Sequence, residues 1–327
     1  MNLNPHPYAA LIPEAVLTAV EELGLTTNGR LLALNSYENR VYQVGIEDAE
    51  PLVVKFYRPG RWSDQAILEE HAFAAELAEH EIPVVAPLAF AGVTLHCYRD
   101  FRYAIFPRRG GHPPELDDPA CRERLGRFLG RIHAVGASRA FVHRPTLGVA
   151  DYGEAPRQYL LGQGFIPAHL VPAYDTLSQD LLAAIRRCYE RAGAIGYLRL
   201  HGDCHLGNIL WTDAGPHFVD LDDCLCGPAI QDLWMLLSGS RAEMALQLSD
   251  LLGGYEDFYE FDRRELALLE ALRTLRMMNY AAWLARRWSD PAFPLAFPWF
   301  GSDRYWEEHV LALREQAAAL DEPPLMV

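Results

Sequence analysis

Lysine is almost absent from this chain. Of its 29 basic residues, one is a lysine, Lys55, and the others are arginines. Long apolar runs are missing too: no segment approaches the ~20 successive apolar residues of a membrane span. The opening Met1-Asn-Leu-Asn-Pro-His-Pro7 lacks the basic and apolar regions of a secretory signal. The chain therefore reads as cytoplasmic, with no membrane partner. Basic patches are also lacking, and the formal net charge is -15. Binding a phosphate backbone needs such patches, so nucleic acid is not an expected partner. An acidic surface instead tolerates a cationic substrate.

The six cysteines, Cys97, Cys121, Cys188, Cys204, Cys224 and Cys226, follow no disulfide framework and are expected to be thiols. Zinc is set aside as well, because Cys224-Leu-Cys226 is tighter than the usual ligand spacing. Sensing of oxidants by Cys204 or Cys224 requires exposed thiols of lowered pKa.

The lone lysine is the first positive signal. A bias toward arginine explains the other cations but not the exception. An ammonium is a compact charge on a slim stem, and a guanidinium is a broad planar fork. A strand lysine reaching nucleotide phosphates is a place where the fork does not fit. Lys55 lies in Pro51-Leu-Val-Val-Lys-Phe-Tyr-Arg58. Val53, Lys55 and Tyr57 share one strand face, while Val54 and Phe56 share the other. Both faces are apolar, so a charge there needs a partner.

The remaining pattern gives an order of elements. A helix opens at Pro13 and runs toward Gly24. Strands are expected over 30–34, 40–45 and 52–57, with a turn-rich connector at 35–39. A helix follows from an N-cap at Ser63 to His80, then strands over 83–90, 94–98 and 101–106. Beyond the breaker Pro107-Arg-Arg-Gly-Gly-His-Pro-Pro114 the pattern is helical, over about 119–137, 155–162, 175–192, 229–238, 241–254, 263–287 and 303–320. The reading divides the chain at 107: residues 1–107 form a nucleotide-binding lobe and 108–327 a catalytic and substrate lobe.

One non-helical island, 198–223, interrupts the helices. Gly202 and Gly207 exclude a helix between His201 and Asn208. Ile209-Leu-Trp211 and His217-Phe-Val219 flank a turn and form a hairpin. A hairpin brings its outer ends together, so Asn208 and Asp220 lie side by side. An amide and a carboxylate oxygen, with room for phosphate and water, suit Mg²⁺ held with a nucleotide. Asp203, outside the metal set, can accept a hydroxyl proton. The spacing of His201, Asp203 and Asn208 is that of a kinase catalytic loop, followed by a metal-binding aspartate.

These residues resemble the aminoglycoside phosphotransferase and choline kinase-like superfamily, whose signature is matched at 201–208 and 218–220. The likeness is closer to the bacterial stress response kinase A family. It runs through Leu34-Asn-Ser-Tyr-Glu-Asn-Arg-Val-Tyr-Gln43, Val53-Val-Lys-Phe-Tyr-Arg-Pro59, His143-Arg-Pro145, Gly227-Pro-Ala-Ile-Gln-Asp-Leu-Trp-Met-Leu-Leu237 and Arg287-Trp-Ser-Asp-Pro-Ala-Phe-Pro294. It implies an α+β, protein kinase-like, two-lobed fold with a small β-rich N-lobe and a larger, mainly helical C-lobe. It also implies a cytoplasmic Ser/Thr protein kinase using ATP and Mg²⁺; the chain is expected to act as a monomer. Asp203 is then the proton acceptor, and Asn208 and Asp220 the metal ligands. Lys55 holds the α/β-phosphates and pairs with Glu70, with Glu69 in reserve. Ser36 lies over the phosphates, the adenine rests near Phe106 and Pro107, and Asp232 braces the catalytic loop. The connector 35–39 carries no glycine, unlike the glycine-rich loop of ordinary protein kinases, so side chains such as Ser36 or Asn39 take over part of its work.

The acceptor has an alternative: an amino alcohol, a sugar or an aminoglycoside-like molecule, because fold does not decide the substrate. A pseudokinase is disfavoured, since lysine, base and metal ligands are all present. His133, on an apolar helix face, reads as a satisfied core histidine.

Overall fold

The computed structural model describes residues 6–327, so part of the N-terminal stretch read for a secretory signal lies outside the described residues. Two compact units emerge. One comprises the residues up to Pro114 together with Phe141–Arg144 and His205–Cys224. The other comprises Glu115–Ala140, Pro145–Cys204 and Leu225–Val327.

The first unit is built on an antiparallel sheet. Helix α1 (Pro13–Glu21) precedes strands β1 (Thr27–Leu34), β2 (Arg40–Ile46) and β3 (Leu52–Phe56). Helix α2 (Asp64–Glu79) leads to β4 (His96–Tyr98) and β5 (Phe101–Pro107). The sheet order is β1-β2-β3-β5-β4. On one face Val44, Val54, Phe56 and Ile105 pack with Ala15, Val16, Ala19 and Val20 of α1. On the other, Tyr57, Ala104 and Ile67 of α2 cluster with Trp62, Leu95 and Phe106. The strand of Lys55 is therefore covered on both sides, as its unbroken apolar pattern requires. Ser63 caps α2, its hydroxyl accepting from the Ala66 amide.

The expected strand over 83–90 does not form. Its backbone makes an isolated parallel bridge, Val84 to Phe218. Pro83 and Pro87 carry no N–H to donate, which prevents a continuous ladder. The same unit holds the hairpin β7 (Ile209–Thr212) and β8 (Gly215–Phe218), with Ile209 opposite Phe218 and Thr212 opposite Gly215.

The second unit is mainly helical: α3 (Pro119–Gly136), α4 (Ala155–Gln163), α5 (Val171–Ala192), α6 (Ile230–Trp234), α7 (Arg241–Tyr255), α8 (Leu269–Arg287), α9 (Ala292–Ala296) and α10 (Asp303–Asp321). Two short strands, β6 (Leu198–Leu200) and β9 (Leu225–Gly227), pair antiparallel. Helices α3 and α7 approach so closely that a Cβ on Gly126 would stand 1.9 Å from the Leu251 carbonyl oxygen. Only glycine permits that crossing. The short helix α9 is not among the expected elements; Pro291 sits at its N-cap. No helix among the described residues is long and apolar enough to cross a membrane.

Candidate active site

Each unit carries its own set of chemically capable side chains. In the first, Lys55 is central. Its register on β3, opposite Val41 and Ala104, turns it toward α2. Its Nζ lies 3.3 Å from Glu70 Oε1, 2.9 Å from Asp220 Oδ1 and 3.1 Å from Asp222 Oδ1. Burial alone would lower the lysine pKa, but Asp220, Asp222 and Glu70 overrule it and hold the ammonium charged well above its usual range. Burial pushes Glu70 up to about 7 against the pull of Lys55. Its Oε2 is buried without a hydrogen-bond partner.

Glu69 faces elsewhere. Its carboxylate accepts from the amides of Val142, His143 and Arg144, at 2.8, 2.6 and 2.9 Å. Glu70 is therefore the lysine's partner, and Glu69 orders the 142–144 segment. Arg144 continues that support: its Nε donates to the Cys224 carbonyl at 2.9 Å, its other arm donates to the Asp222 carbonyl, and its guanidinium covers the Trp62 ring.

Asp220 adopts φ 60° and ψ 63°, a left-handed conformation that costs an L-residue free energy. Aspartate is among the residues that tolerate it, and such strain concentrates where a side chain must be aimed. The side chain of Asp220 is 51% exposed, whereas that of Asp222 is 4% exposed. The amide of Val219 donates to the Asn208 carbonyl at 3.0 Å, so the two ends of the hairpin meet as its register demands. One carboxylate and one amide oxygen at an open hairpin end fit the donor set of a magnesium that keeps water and phosphate ligands. Among the described residues no group of three or more His, Cys, Asp or Glu could hold a metal ion.

Asp222 escaped the sequence reading, together with the cations around it. The short helical turn Leu221–Asp223 directs the middle aspartate inward. Arg61 forks onto Asp222 and Asp223, with its Nε 3.7 Å from Glu38. Burial would raise the Asp222 carboxyl, but Lys55, Arg61 and Arg144, with a hydrogen bond from Asn39, keep it well below the usual carboxylate range. Asn39 is itself buried, its Oδ1 accepting from the Arg58 amide. Its side chain is thus engaged in the fold of this unit. Ser36 donates to the Asn39 carbonyl at 3.2 Å within the β1–β2 connector. Phe106 pairs with Val53 across the β3–β5 ladder. No local pattern separates Asp222 from its neighbours in Asp220-Leu-Asp-Asp223; a spare carboxylate beside a metal-type aspartate was the only signal.

In the second unit the loop before Asp203 is held by α6. Asp232 accepts from the amides of His201 and Gly202, each at 2.8 Å. Gln231 donates to the Gly202 carbonyl at 3.1 Å. Gly202 has φ 84°, which a side chain would resist. Asp232 also meets His133 Nε2 at 3.2 Å, and His133 Nδ1 meets the Tyr255 hydroxyl at 2.8 Å. His133 is thus a satisfied core histidine that braces the brace. Asp203 Oδ1 lies 2.6 Å from an Arg276 nitrogen of α8. Cys204 and Cys224 are fully buried and burial pushes both thiols up, the opposite of what an oxidant sensor needs.

Residues 30–269 match the model of the phosphotransferase enzyme family. The chain belongs to that family. Over all 327 residues it is 49% identical to stress response kinase A of Salmonella choleraesuis (strain SC-B67), covering 99% of that protein. It is equally similar to the serine/threonine protein kinase RdoA of Salmonella typhimurium, with the same coverage. Stress response kinase A of Escherichia coli (strain K12) is 47% identical, again over the full chain. Among solved structures, amicoumacin kinase hAmiN in complex with AMP-PNP, Ca²⁺ and Ami superposes with a TM-score of 0.73 at 21% identity, covering 97% of this chain and 96% of that one. The microcompartment-associated aminopropanol kinase gives 0.70 at 19% identity, covering 94% and 96%. The fold is the α+β, kinase-like one expected, and this member of the phosphotransferase family is an ATP-dependent kinase of the stress response kinase A type.

Proposed function

We propose that the chain is a magnesium-dependent Ser/Thr protein kinase, acting as a monomer in the cytoplasm. The observation that carries its phosphoryl-transfer chemistry is the contact of Lys55 with both Glu70 and Asp220. That arrangement matches a kinase lysine, its helix carboxylate and its metal-binding aspartate. The protein acceptor rests on full-length similarity to relatives named as stress response and serine/threonine protein kinases.

In this reading Lys55 binds the α/β-phosphates, and Glu70 keeps its ammonium in place. Ser36 lies beside the phosphates and Phe106 beside the adenine. Asn208 and Asp220 would hold magnesium, which when bound offsets the negative charge of the phosphates. Asp203 accepts the acceptor hydroxyl's proton as the hydroxyl oxygen bonds to the γ-phosphorus and the bond from that phosphorus to the β-phosphate oxygen breaks, releasing ADP. Asp232 keeps the Asp203 loop in register through the His201 and Gly202 amides.

A small cationic acceptor is the second reading, favoured by the net charge of -15. One experiment separates the two. The enzyme is incubated with Mg²⁺ and γ-labelled ATP, and either a protein mixture or a panel of hydroxylated amines. Label on serine or threonine side chains, with none on the amines, is the expected result. Label on an amine alone would overturn the protein-kinase reading.

A further inference from the structure

The ion pair of Asp203 with Arg276 is not accounted for by the chemistry above. The backbone around Asp203 is already fixed, with Asp232 gripping the His201 and Gly202 amides and Gln231 the Gly202 carbonyl. Those contacts orient the loop but do not touch the carboxylate. Arg276 does, at 2.6 Å from Oδ1. It comes from the middle of α8, whose Leu272, Leu275 and Met278 are buried and whose axis is therefore anchored. The cation is thus delivered from a rigid element.

The pair also looks unlike a folding contact. The Arg276 side chain is 43% exposed and that of Asp203 22%. The Asp203 oxygen in contact is buried, but a pair whose cation is so exposed adds little to stability. A general base gains more from being held: geometry errors near 1 Å at a reacting group can cost ~10²-fold in rate.

We infer that Arg276 is a positioning residue for phosphoryl transfer, clamping Asp203 Oδ1 so that the carboxylate is held in a single orientation when the acceptor hydroxyl arrives. The inference rests on Asp203 being the base.

The test is a double-mutant cycle on the full chain, with Arg276→Ala, Asp203→Asn and the pair, assayed by γ-labelled ATP turnover. Arg276→Ala should lower kcat by ~10–100-fold while leaving KM for ATP within about twofold. Arg276→Lys should restore most of the loss, since a charge within reach replaces part of the clamp. In the Asp203→Asn background, Arg276→Ala should cost nothing further, because the group it acts through is gone. Should Arg276→Ala be poorly folded by thermal denaturation, Arg276→Gln takes its place in the cycle. An unchanged kcat, or the same fold-loss in both backgrounds, overturns the inference and leaves the base assignment standing. Full turnover by Asp203→Asn alone instead defeats the base assignment.

Discussion

Lys55 Nζ and Asp222 Oδ1 lie 3.1 Å apart, with side chains 7% and 4% exposed. Removing Asp222 takes one of three carboxylates from Lys55 and one arm's partner from Arg61, leaving two buried cations undercompensated, and breaking a buried pair typically costs ~3–5 kcal/mol. Asp222→Ala should therefore destabilise the protein by about that amount in urea denaturation. Asp223→Ala, whose side chain is 45% exposed on the same Arg61 fork, should cost below ~1 kcal/mol. Equal losses would show that Asp222 is not the buried anchor of the network.

The two adjacent glutamates should separate cleanly. Glu70→Ala removes the lysine's helix partner and should impair ATP turnover. Glu69→Ala strips three amide contacts from residues 142–144 and should first appear as faster amide exchange there. Lys55→Arg keeps the charge but replaces the ammonium with a fork in a slot shared by three carboxylates. Steady-state kinetics should show turnover reduced at least ~10²-fold; near-normal turnover would refute the steric reading of the lone lysine.

Asp220 and Asn208 are read as the magnesium ligands. Titration calorimetry of ATP with and without Mg²⁺ should show the magnesium-dependent gain in affinity abolished in Asp220→Ala. Retention of that gain would move the metal to other ligands.

Acid should weaken the fold through buried neutral histidines. His309 stacks on Tyr305 and Tyr174, its Nε2 is buried without a partner, and burial lowers its pKa to about 4. The unfolded imidazole takes its proton near the ordinary value of 6.5, so between 6.5 and 4 the unfolded state binds more protons. Stability contributed by the neutral ring is present above 6.5 and is lost as pH falls through 4. His309→Phe should spare the protein on the order of 2–3 kcal/mol by pH 4, measured as the difference between the two urea titrations. Parallel titration curves would contradict it.

Much of the site could be read from local pattern because its determinants are local. Ser63 capping α2, the glycine-broken loop after His201 and the hairpin with Asn208 and Asp220 at its ends all follow from short-range rules. What escaped depends on distant neighbours. Asp222 turns inward because Lys55, Arg61 and Arg144 converge on it from separate segments, and nothing near position 222 records them. Arg276 stands on an ordinary helical repeat, and only the fold brings it to Asp203. The failed strand over 83–90 is a different kind of miss: its apolar run was real, but Pro83 and Pro87 removed the donors that a ladder needs.

The most direct test of the catalytic account is single-turnover transfer of labelled γ-phosphate by Asp203→Asn beside its binding of a non-hydrolysable ATP analogue. Analogue affinity should remain within ~3-fold of the unmutated protein while transfer falls ~10²–10⁴-fold. Transfer at the unmutated rate would contradict the assignment of Asp203 as the proton acceptor.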